Sequence, residues 1–291
     1  MSMHWLARMP VMTDRVLVTG GTGKTGRLVA RQLALRGIEA RIATRHPSSA
    51  DQIRFDWTDR ATHGPALEGI GAVYIVAPTD RTEQLPVMRP FLEQAVSQVP
   101  GRLVLLSASS LEAGGPMMGE IHAWLAAHAP LWTVLRPSWF MQNFTIQHLP
   151  SMLHEGCLYS ATADGRVPFI DAADIAAVAV EALADPALAS RDYVLTGPEA
   201  LTYHEVAQAI SARIGRPVRH CRLSVSELAA RYATFGVPEA YALTLARMDE
   251  AIAQGAEDRT TDEVERITGR PPHSFADFLE DQHAVFASPS A

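Results

Sequence analysis

The sequence has few cysteines, and this scarcity excludes two kinds of stabilising site. Only Cys157 and Cys221 occur among the 291 residues. They fit neither metal-ligand spacing nor a disulfide framework, so we expect no metal and no disulfide. This cysteine usage favours a reducing compartment, the cytoplasm, as the location of the protein.

Long apolar runs and clusters of positive charge are also missing. No run of roughly eighteen apolar residues occurs, so we expect no membrane-embedded segment. Residues 1–12, interrupted by Pro10, are too short and too mixed for a signal peptide and are expected to form a loose extension. The formal net charge of −7, without a Lys/Arg cluster, argues against a nucleic-acid-binding surface.

What remains is a chain rich enough in apolar residues to bury a large core. Its hydrophobic content is 47%, which is sufficient for one large core or two unequal ones. No heptad pattern or contiguous apolar helix face indicates an interface, so we expect a monomer or a homodimer. The expected partner is a small-molecule substrate.

Four glycines fall within seven residues directly after the first apolar run, in "VLVTGGTGKTGR" at 16–27. Glycine allows left-handed backbone and leaves room for an anion, and the first turn of the following helix offers unpaired N–H groups. The spacing differs from that of a P-loop, so Lys24 need not be catalytic. A phosphate-binding loop is predicted here, with a ligand-free glycine turn as the alternative; its residues are Gly20, Thr22, Gly23, Lys24, Thr25 and Gly26.

Short β-rich runs alternate with helix-like segments from residue 14 to about 137, which is typical of a doubly wound parallel Rossmann sheet. We expect residues 13–137, completed by 171–197, to form this NAD(P)-binding domain. Residues 138–170 and 198–287 are expected to form a smaller, mostly helical substrate-binding domain. Four capping-box patterns predict helix starts in or near it: Thr202 with Glu205, Ser224 with Glu227, Thr260 with Glu263, and Ser274 with Asp277.

Six stretches in order resemble the NmrA-like family of atypical short-chain dehydrogenases/reductases, which includes bacterial relatives of clavine (ergot alkaloid) dehydrogenases. They are "VTGGTGKTGR" at 18–27, "ATRHPS" at 43–48, "FDWTD" at 55–59, "LRPSWFMQNF" at 135–144, "PFIDAADIAAVA" at 168–179 and "ERITGRPPHSFADFL" at 265–279. The resemblance implies an NAD(P)-binding Rossmann fold and an oxidoreductase of small-molecule, secondary metabolism.

The cofactor type follows from the end of the second strand. NAD-selective folds usually carry an acid there, whereas an arginine can receive the 2′-phosphate of NADP. Thr44 holds the acid's place and Arg45 follows it, which predicts NADP(H), unless Arg45 is only a solvated loop residue. The resemblance also implies a second set of cofactor contacts, made by Asp56, Trp57, Ala77, Pro78 and Ser107. For Trp57, packing in the core is an equally open role.

The tyrosine and lysine that short-chain dehydrogenases generally use as the acid pair are missing, since Gly114 and Met118 stand in their places. An iminium carbon accepts hydride without an acid, and quinones and enones need less help than a ketone. We therefore expect reduction of a C=N or C=C bond. His122 is a possible substitute acid, with a solvent-facing helix residue as the alternative.

The substrate wall is expected after the sixth strand and at the start of the helix that precedes it. Aromatic rings there suit a flat or cationic substrate, although core packing is a competing role for each of them. The candidates are Met117, Met118, Trp139, Phe140, Asn143 and Phe144. Two other functions stay open: an NADP(H)-binding redox sensor without turnover, and an isomerase or cyclase on the same fold.

Overall fold

Strands and helices alternate along the first half of the chain in the computed structural model, which describes residues 14–78 and 80–287. The strands are β1 (Arg15–Val18), β2 (Glu39–Thr44), β3 (Gln52–Arg54), β4 (Ala72–Val76), β5 (Leu103–Leu106), β6 (Trp132–Pro137), β7 (Cys157–Ser160), β8 (Arg166–Val167), β9 (Asp192–Leu195), β10 (Leu201–Thr202) and β11 (Arg219–Arg222). The predicted extension at residues 1–12 lies outside the described residues.

The helices are α1 (Gly26–Leu35), α2 (His63–Leu67), α3 (Leu85–Gln98), α4 (Met118–His128), α5 (Asn143–Ile146), α6 (Leu149–Glu155), α7 (Ala172–Ala184), α8 (Tyr203–Ile214), α9 (Val225–Thr234), α10 (Glu239–Ala253), α11 (Glu263–Thr268), α12 (Phe275–Asp281) and α13 (His283–Ala287). Within the described part of the chain, none of them has the length and apolar character needed to cross a membrane.

A seven-stranded sheet of order β3-β2-β1-β4-β5-β6-β9 confirms the doubly wound Rossmann fold. The pairs from β3 through β6 are parallel. Val16–Val18 and Ala72–Ile75 are fully buried, as expected for strands that helices cover on both faces. Because the chain builds β2 and β3 on one side of β1 and then returns to β4 on the other, the strand order reverses between β1 and β4.

The chain divides into two compact units. One contains the residues up to Ser107 together with Leu111–Leu135 and Ala176–Tyr193, and the other contains Ala108–Ser110, Arg136–Ile175 and the residues from Val194. The second unit has its own core, built around aromatic residues such as Phe144, and two short strand pairs, β8 with β10 and β7 with β11.

Three of the four predicted capping boxes are present, at Thr202, Ser224 and Ser274. The fourth prediction, at Thr260, is wrong, because α11 has Asp262 as its N-cap and makes no side-chain capping bond. The neighbouring Thr261 explains the difference: its N–H donates to Thr196 Oγ1 (2.9 Å) and its hydroxyl donates to Val194 O (2.7 Å). This pairing holds the segment outside the helix.

The prediction that the two cysteines form no disulfide is also wrong. Cys157 lies on β7 and Cys221 on β11, with Cα atoms 5.7 Å apart, and the two form a disulfide. They are separated by 64 residues in sequence, and the parallel pairing of β7 with β11 brings them together. In the described part of the chain, no group of three or more His, Cys, Asp or Glu side chains is placed to hold a metal ion.

Within the second unit, Asp174 of the motif at 168–179 is hydrogen-bonded to His273 of the motif at 265–279. The main-chain N–H of His273 donates to Asp174 Oδ2 (2.8 Å), and His273 Nδ1 lies 2.7 Å from Asp174 Oδ1. Burial raises the pKa of Asp174. Burial alone would lower the pKa of His273, but the Asp174 carboxylate outweighs it and raises that pKa. At the start of α7, Asp171 acts as the helix cap by accepting from the Ala173 N–H (2.6 Å).

This pair predicts a pH-dependent contribution to stability. Because the folded pKa of His273 is raised, the attraction is fully present below the unfolded histidine value of about 6.5 and is lost as pH rises through the folded pKa. We expect His273→Gln to lower Tm by about 2 °C at about pH 6 and by less at about pH 9, measured by circular dichroism. His283→Gln, at an exposed site on α13, is the control, and equal losses at both pH values would contradict the ion pair.

Candidate functional site

The glycine-rich loop after β1 folds back tightly on itself at the reversal point of the sheet. Gly20 has a φ of +61°, and a Cβ there would lie 2.9 Å from Val76 Cβ. A Cβ on Gly26, the first residue of α1, would lie 2.2 Å from Gly20 O. The Gly23 N–H donates to Gly20 O (2.9 Å). Side chains at 20 or 26 would therefore push the loop away from β4 or from itself.

Polar side chains of the sheet hold this loop in place. Thr19 donates through its hydroxyl to Tyr74 O (3.1 Å) and accepts from the Val76 N–H (2.7 Å). The Tyr74 hydroxyl donates to Thr25 Oγ1 (3.1 Å), just before α1. Burial raises the pKa of Tyr74, so the phenol stays neutral. The sequence reasoning missed Thr19 and Tyr74 as supports, although a tyrosine in an otherwise aliphatic strand was the available signal.

The space beside Gly23 fits a phosphate. A Cβ at Gly23 would come within 4 Å only of Gly20 O, at 3.1 Å, which is a tight contact with one backbone atom; no other atom crowds the position. No side chain caps α1 and its first turn carries no acid. The Arg27 N–H donates to Gly23 O (3.3 Å), but among the described residues the N–H groups of Thr25 and Gly26 have no partner and are available to an anion. Lys24 is half-buried nearby in sequence, and burial lowers its pKa. The backbone from Gly20 to Gly26 therefore suits the diphosphate of a dinucleotide.

Arg45 and Asp56 follow the neighbouring strands β2 and β3. Asp56 Oδ1 accepts from the Thr58 N–H (2.8 Å) and hydroxyl (2.7 Å), and these bonds, with a smaller contribution from Arg45, lower the pKa of Asp56. The structure thus brings the Arg45 guanidinium within electrostatic reach of Asp56. Trp57 packs edge-on against Phe55 at 4.8 Å between ring centroids, so the core-packing alternative describes its position.

The carboxyl ends of β4 and β5 supply the next candidates. Ala77 is buried, and Pro78 O accepts from Gln84 Nε2 (2.8 Å); Thr79 lies outside the described residues. Ser107 is 6% exposed, its N–H donates to Leu135 O (2.7 Å), and its hydroxyl has no hydrogen-bond partner among the residues that the structure describes. A buried hydroxyl without a partner, at the edge where such sheets bind ligands, fits a cofactor or substrate contact.

The start of α4 is shaped by an unusual backbone. Met117 precedes the helix with a φ of 57°, in the region that favours glycine. Gly119 fixes this turn: its N–H donates to Pro116 O (3.0 Å), and a Cβ there would lie 2.4 Å from Glu112 O. Such strain in a non-glycine residue is typical of functional loops. Met118 packs partly against the core of the first unit.

His122 lies away from the expected reaction site. Its ring is buried, 5.6 Å from the ring of Trp132. Trp132 begins β6, so its contacts lie toward the amino ends of the strands, opposite the ligand-binding edge. The solvent-facing alternative is wrong, and this placement gives His122 a packing role; a catalytic role for it is not proposed further.

The aromatic segment after β6 belongs to the second unit. Phe144 is fully buried, with ring centroids 5.0 Å from Phe169 and 5.4 Å from Phe275, so core packing accounts for it. Trp139 is partly buried against the same core. Phe140 and Asn143 are also only partly buried and begin the turn into α5, where the Asn143 N–H donates to Phe140 O (3.0 Å).

Comparison with known proteins identifies two family models along the chain. The model of the NmrA-like family matches residues 125–279. A model of an NAD(P)H-binding family matches residues 20–186. Each covers more than half of the sequence, and the second includes the whole glycine-rich loop.

Two curated proteins align along nearly their full length. An uncharacterized oxidoreductase of Bacillus subtilis, YesF, is 42% identical over 277 residues, covering 94% of this chain and 96% of that protein. Agroclavine dehydrogenase of Claviceps fusiformis is 42% identical over 284 residues, covering 93% of this chain and 98% of that protein.

The fold is shared with solved structures. An NADPH-dependent quinone oxidoreductase of Escherichia coli, solved in complex with NADPH, has a TM-score of 0.79 at 23% identity and covers 91% of this chain and 99% of its own. At this identity the likeness establishes the common fold.

The open space at Gly23 predicts a separation of binding from stability. Gly23→Ala places a methyl group where a phosphate would sit, so we expect about a tenfold or greater loss of NADPH affinity, with Tm lowered only slightly because the Cβ presses on Gly20 O alone. Gly26→Ala should lower both the NADPH affinity and Tm, because its Cβ would clash with Gly20 O. Isothermal titration and thermal unfolding measure the two effects.

Gly64→Ala on α2 is the matched control, since its Cβ would meet only Gln94 Oε1, at 3.9 Å. NADPH binding by Gly23→Ala at the affinity of the unmodified protein would contradict the phosphate-binding role of the loop.

Proposed function

The chain belongs to the NmrA-like family of NAD(P)H-binding oxidoreductases, and we propose that it uses NADPH to reduce an electrophilic C=N or C=C bond of a small molecule. The substrate classes in view are iminium ions, quinones and enones. The first unit holds the dinucleotide and the second supplies the substrate-binding surface. The monomeric or dimeric state and the cytoplasmic location belong to the same proposal, although the Cys157–Cys221 disulfide removes the cysteine argument for a reducing compartment.

The observation that carries the proposal is the replacement of the acid pair. Counted back from the sixth strand as the resemblance implies, the tyrosine and lysine positions fall on Gly114 and Met118, and neither residue can donate a proton to a developing alkoxide. An iminium carbon needs no such donor, and a quinone or enone oxygen is stabilised by conjugation. The relative named agroclavine dehydrogenase supports dehydrogenase chemistry on a small molecule.

The roles of this chain's residues are to bind, orient and exclude water. Bound NADPH supplies a hydride. The backbone of residues 20–26 would hold its diphosphate, and Asp56 would approach the adenine. Ser107 would offer its unpaired hydroxyl at the carboxyl end of β5. Met117, Met118, Trp139, Phe140 and Asn143 are proposed to shape the substrate wall, and a dry, oriented site then supplies the rate enhancement.

NADP(H) rather than NAD(H) is the proposed cofactor because of the end of β2. Thr44 stands where NAD-binding folds place an acid, and the exposed Arg45 guanidinium can form paired bonds with a 2′-phosphate. Arg45→Ala is expected to weaken NADPH binding about tenfold and to leave NADH binding unchanged, as measured by isothermal titration. Arg31→Ala, at an exposed site on α1, is the control; equal NADPH affinities for Arg45→Ala and this control would refute the assignment.

Turnover distinguishes the reductase from its alternatives. We expect NADPH oxidation, followed by loss of its absorbance, with at least one of a cyclic iminium ion, a naphthoquinone and a cyclic enone. Tight NADPH binding without turnover of any of them would favour the redox-sensing protein. Conversion of a substrate without net NADPH oxidation would favour the isomerase or cyclase.

A further inference from the structure

The disulfide of the second unit joins two strands at positions that are not opposite each other. β7 and β11 form a two-stranded parallel sheet in which Arg219 is opposite Cys157 and Cys221 is opposite Tyr159. Residues two apart on a strand point to the same face of a sheet. These four side chains therefore share one face, which we call the disulfide face.

The other face of this strand pair points to the core of the second unit. Leu158 is fully buried in that core. His220 Nε2 lies 2.8 Å from Ser160 Oγ, and the His220 ring centroid lies 5.8 Å from that of the buried Tyr203. The disulfide face is consequently the outer side of the sheet.

The two cysteines differ in how much of each is exposed. Cys157 is 4% exposed, whereas Cys221 is partly exposed. Thiol–disulfide exchange begins when a thiolate attacks one of the two sulfurs, and access helps to select the sulfur that is attacked. We therefore expect an incoming thiolate to bond to Cys221 and the electron pair of the broken bond to leave on Cys157.

Positive charge lies beside this disulfide. The exposed Arg219 is two residues from Cys221, and the exposed Arg216 lies in the connection that leads into β11. Within the described part of the chain neither guanidinium forms an ion pair, whereas the neighbouring Arg222 pairs with Asp164. Nearby cations favour the thiolate form of a cysteine and attract anionic reactants. In a protein with a formal net charge of −7, these two arginines therefore mark a local site for a negatively charged thiol.

We propose that the Cys157–Cys221 disulfide is a site of reversible thiol exchange and that its reactant is a low-molecular-mass thiol with negative charge, such as glutathione. The thiolate bonds to Cys221 Sγ, the S–S bond breaks, and Cys157 leaves as a thiolate on the face that carries Arg219. A second thiol molecule then removes the first from Cys221. In sum, two thiol molecules are oxidised to one disulfide dimer, and their two protons pass to the two cysteine sulfurs. Oxidised glutathione reverses the reaction.

This inference goes beyond the proposed reductase function and does not depend on it. Its structural consequence concerns α9 and α10, because β11 leads directly into α9. The Arg231 guanidinium on α9 lies 3.9 Å from the centroid of the Tyr159 ring and pairs with Glu155 (2.7 Å). On α10, Asp249 accepts from the Ala161 N–H (2.9 Å), just after β7. Reduction removes the covalent tie between β7 and β11, so we expect it to loosen the α9–α10 hairpin.

The first test compares thiols of different charge. The protein is oxidised with oxidised glutathione and then treated with glutathione, 2-mercaptoethanol or cysteamine. A maleimide stops the reaction, and intact mass counts the thiols formed. After correction for the thiolate fraction of each reagent, we expect glutathione to react roughly threefold to tenfold faster than the cationic cysteamine at low salt, with a smaller difference at high salt.

Three outcomes of this experiment would overturn the proposal. Two free thiols after incubation with oxidised glutathione would mean that the disulfide does not form. Resistance of the folded protein to all three thiols would make the disulfide purely structural. Equal rates with glutathione and cysteamine would reject the anionic reactant.

A charge variant tests the role of the arginine on the disulfide face. Arg219→Gln should lower the rate with glutathione more than the rate with the neutral 2-mercaptoethanol. Arg270→Gln is the matched control, since Arg270 is exposed after α11 and forms no ion pair with any residue that the structure describes. Equal glutathione rates for the two variants would refute the role of the Arg219 charge.

The single cysteine variants form a matched pair, because Cys157→Ser and Cys221→Ser both remove the disulfide. We expect Cys221 in the first variant to react with oxidised glutathione at least about tenfold faster than Cys157 in the second, because it is the more exposed residue. Faster reaction of Cys157 would overturn the assignment of Cys221 as the sulfur attacked.

Hydrogen exchange measures the structural consequence. In the reduced protein, amide exchange in α9 and α10 should be faster than in the oxidised protein, with exchange in α1 unchanged, and Tm should fall by about 5–10 °C. Both cysteine variants should resemble the reduced protein. Equal exchange of the hairpin in the oxidised and reduced proteins would overturn its coupling to the disulfide.

Discussion

The close approach of backbone to backbone at the glycine loop is the constraint on which the rest of this protein depends. Gly26 packs its Cα against Gly20 O, and Gly20 packs against Val76 on β4. Thr19 and Tyr74 add hydrogen bonds that hold the loop to the sheet and to Thr25. The loop is thereby fixed where the strand order reverses, and the first turn of α1 is presented to a phosphate without a capping side chain.

The buried acids of this protein differ in how many groups stabilise their carboxylates. Asp174 is tied to His273, and Glu257 has a serine hydroxyl with arginines in reach. Both acids serve packing, because their charges are met inside the protein. Asp249 has only one main-chain N–H. The same desolvation, offset by these partners at Asp174 and Glu257, raises the pKa of Asp249 to about 6.

Much of the architecture could be predicted from local patterns, because glycine spacing, strand runs and capping residues act over a few neighbours. The capping prediction at Thr260 failed because Thr261 bonds to a distant strand end, which outweighs the local preference. Trp57 and Phe144 could not be assigned from sequence, since an aromatic residue suits a core and a ligand equally well. His122 was ambiguous for a similar reason, and in the structure its burial and its contact with Trp132 place it in the core.

By itself, the sequence determined the Rossmann fold, the glycine-rich loop and the family, because these depend on residue spacing along short stretches. Tertiary structure alone decided which distant residues meet. It paired Cys157 with Cys221 and Asp174 with His273, and it buried Asp249. Contacts of this kind arise from strand pairing and helix packing between residues that lie tens of positions apart in the sequence. The type of a side chain does not indicate which of these distant residues it will contact in the folded protein.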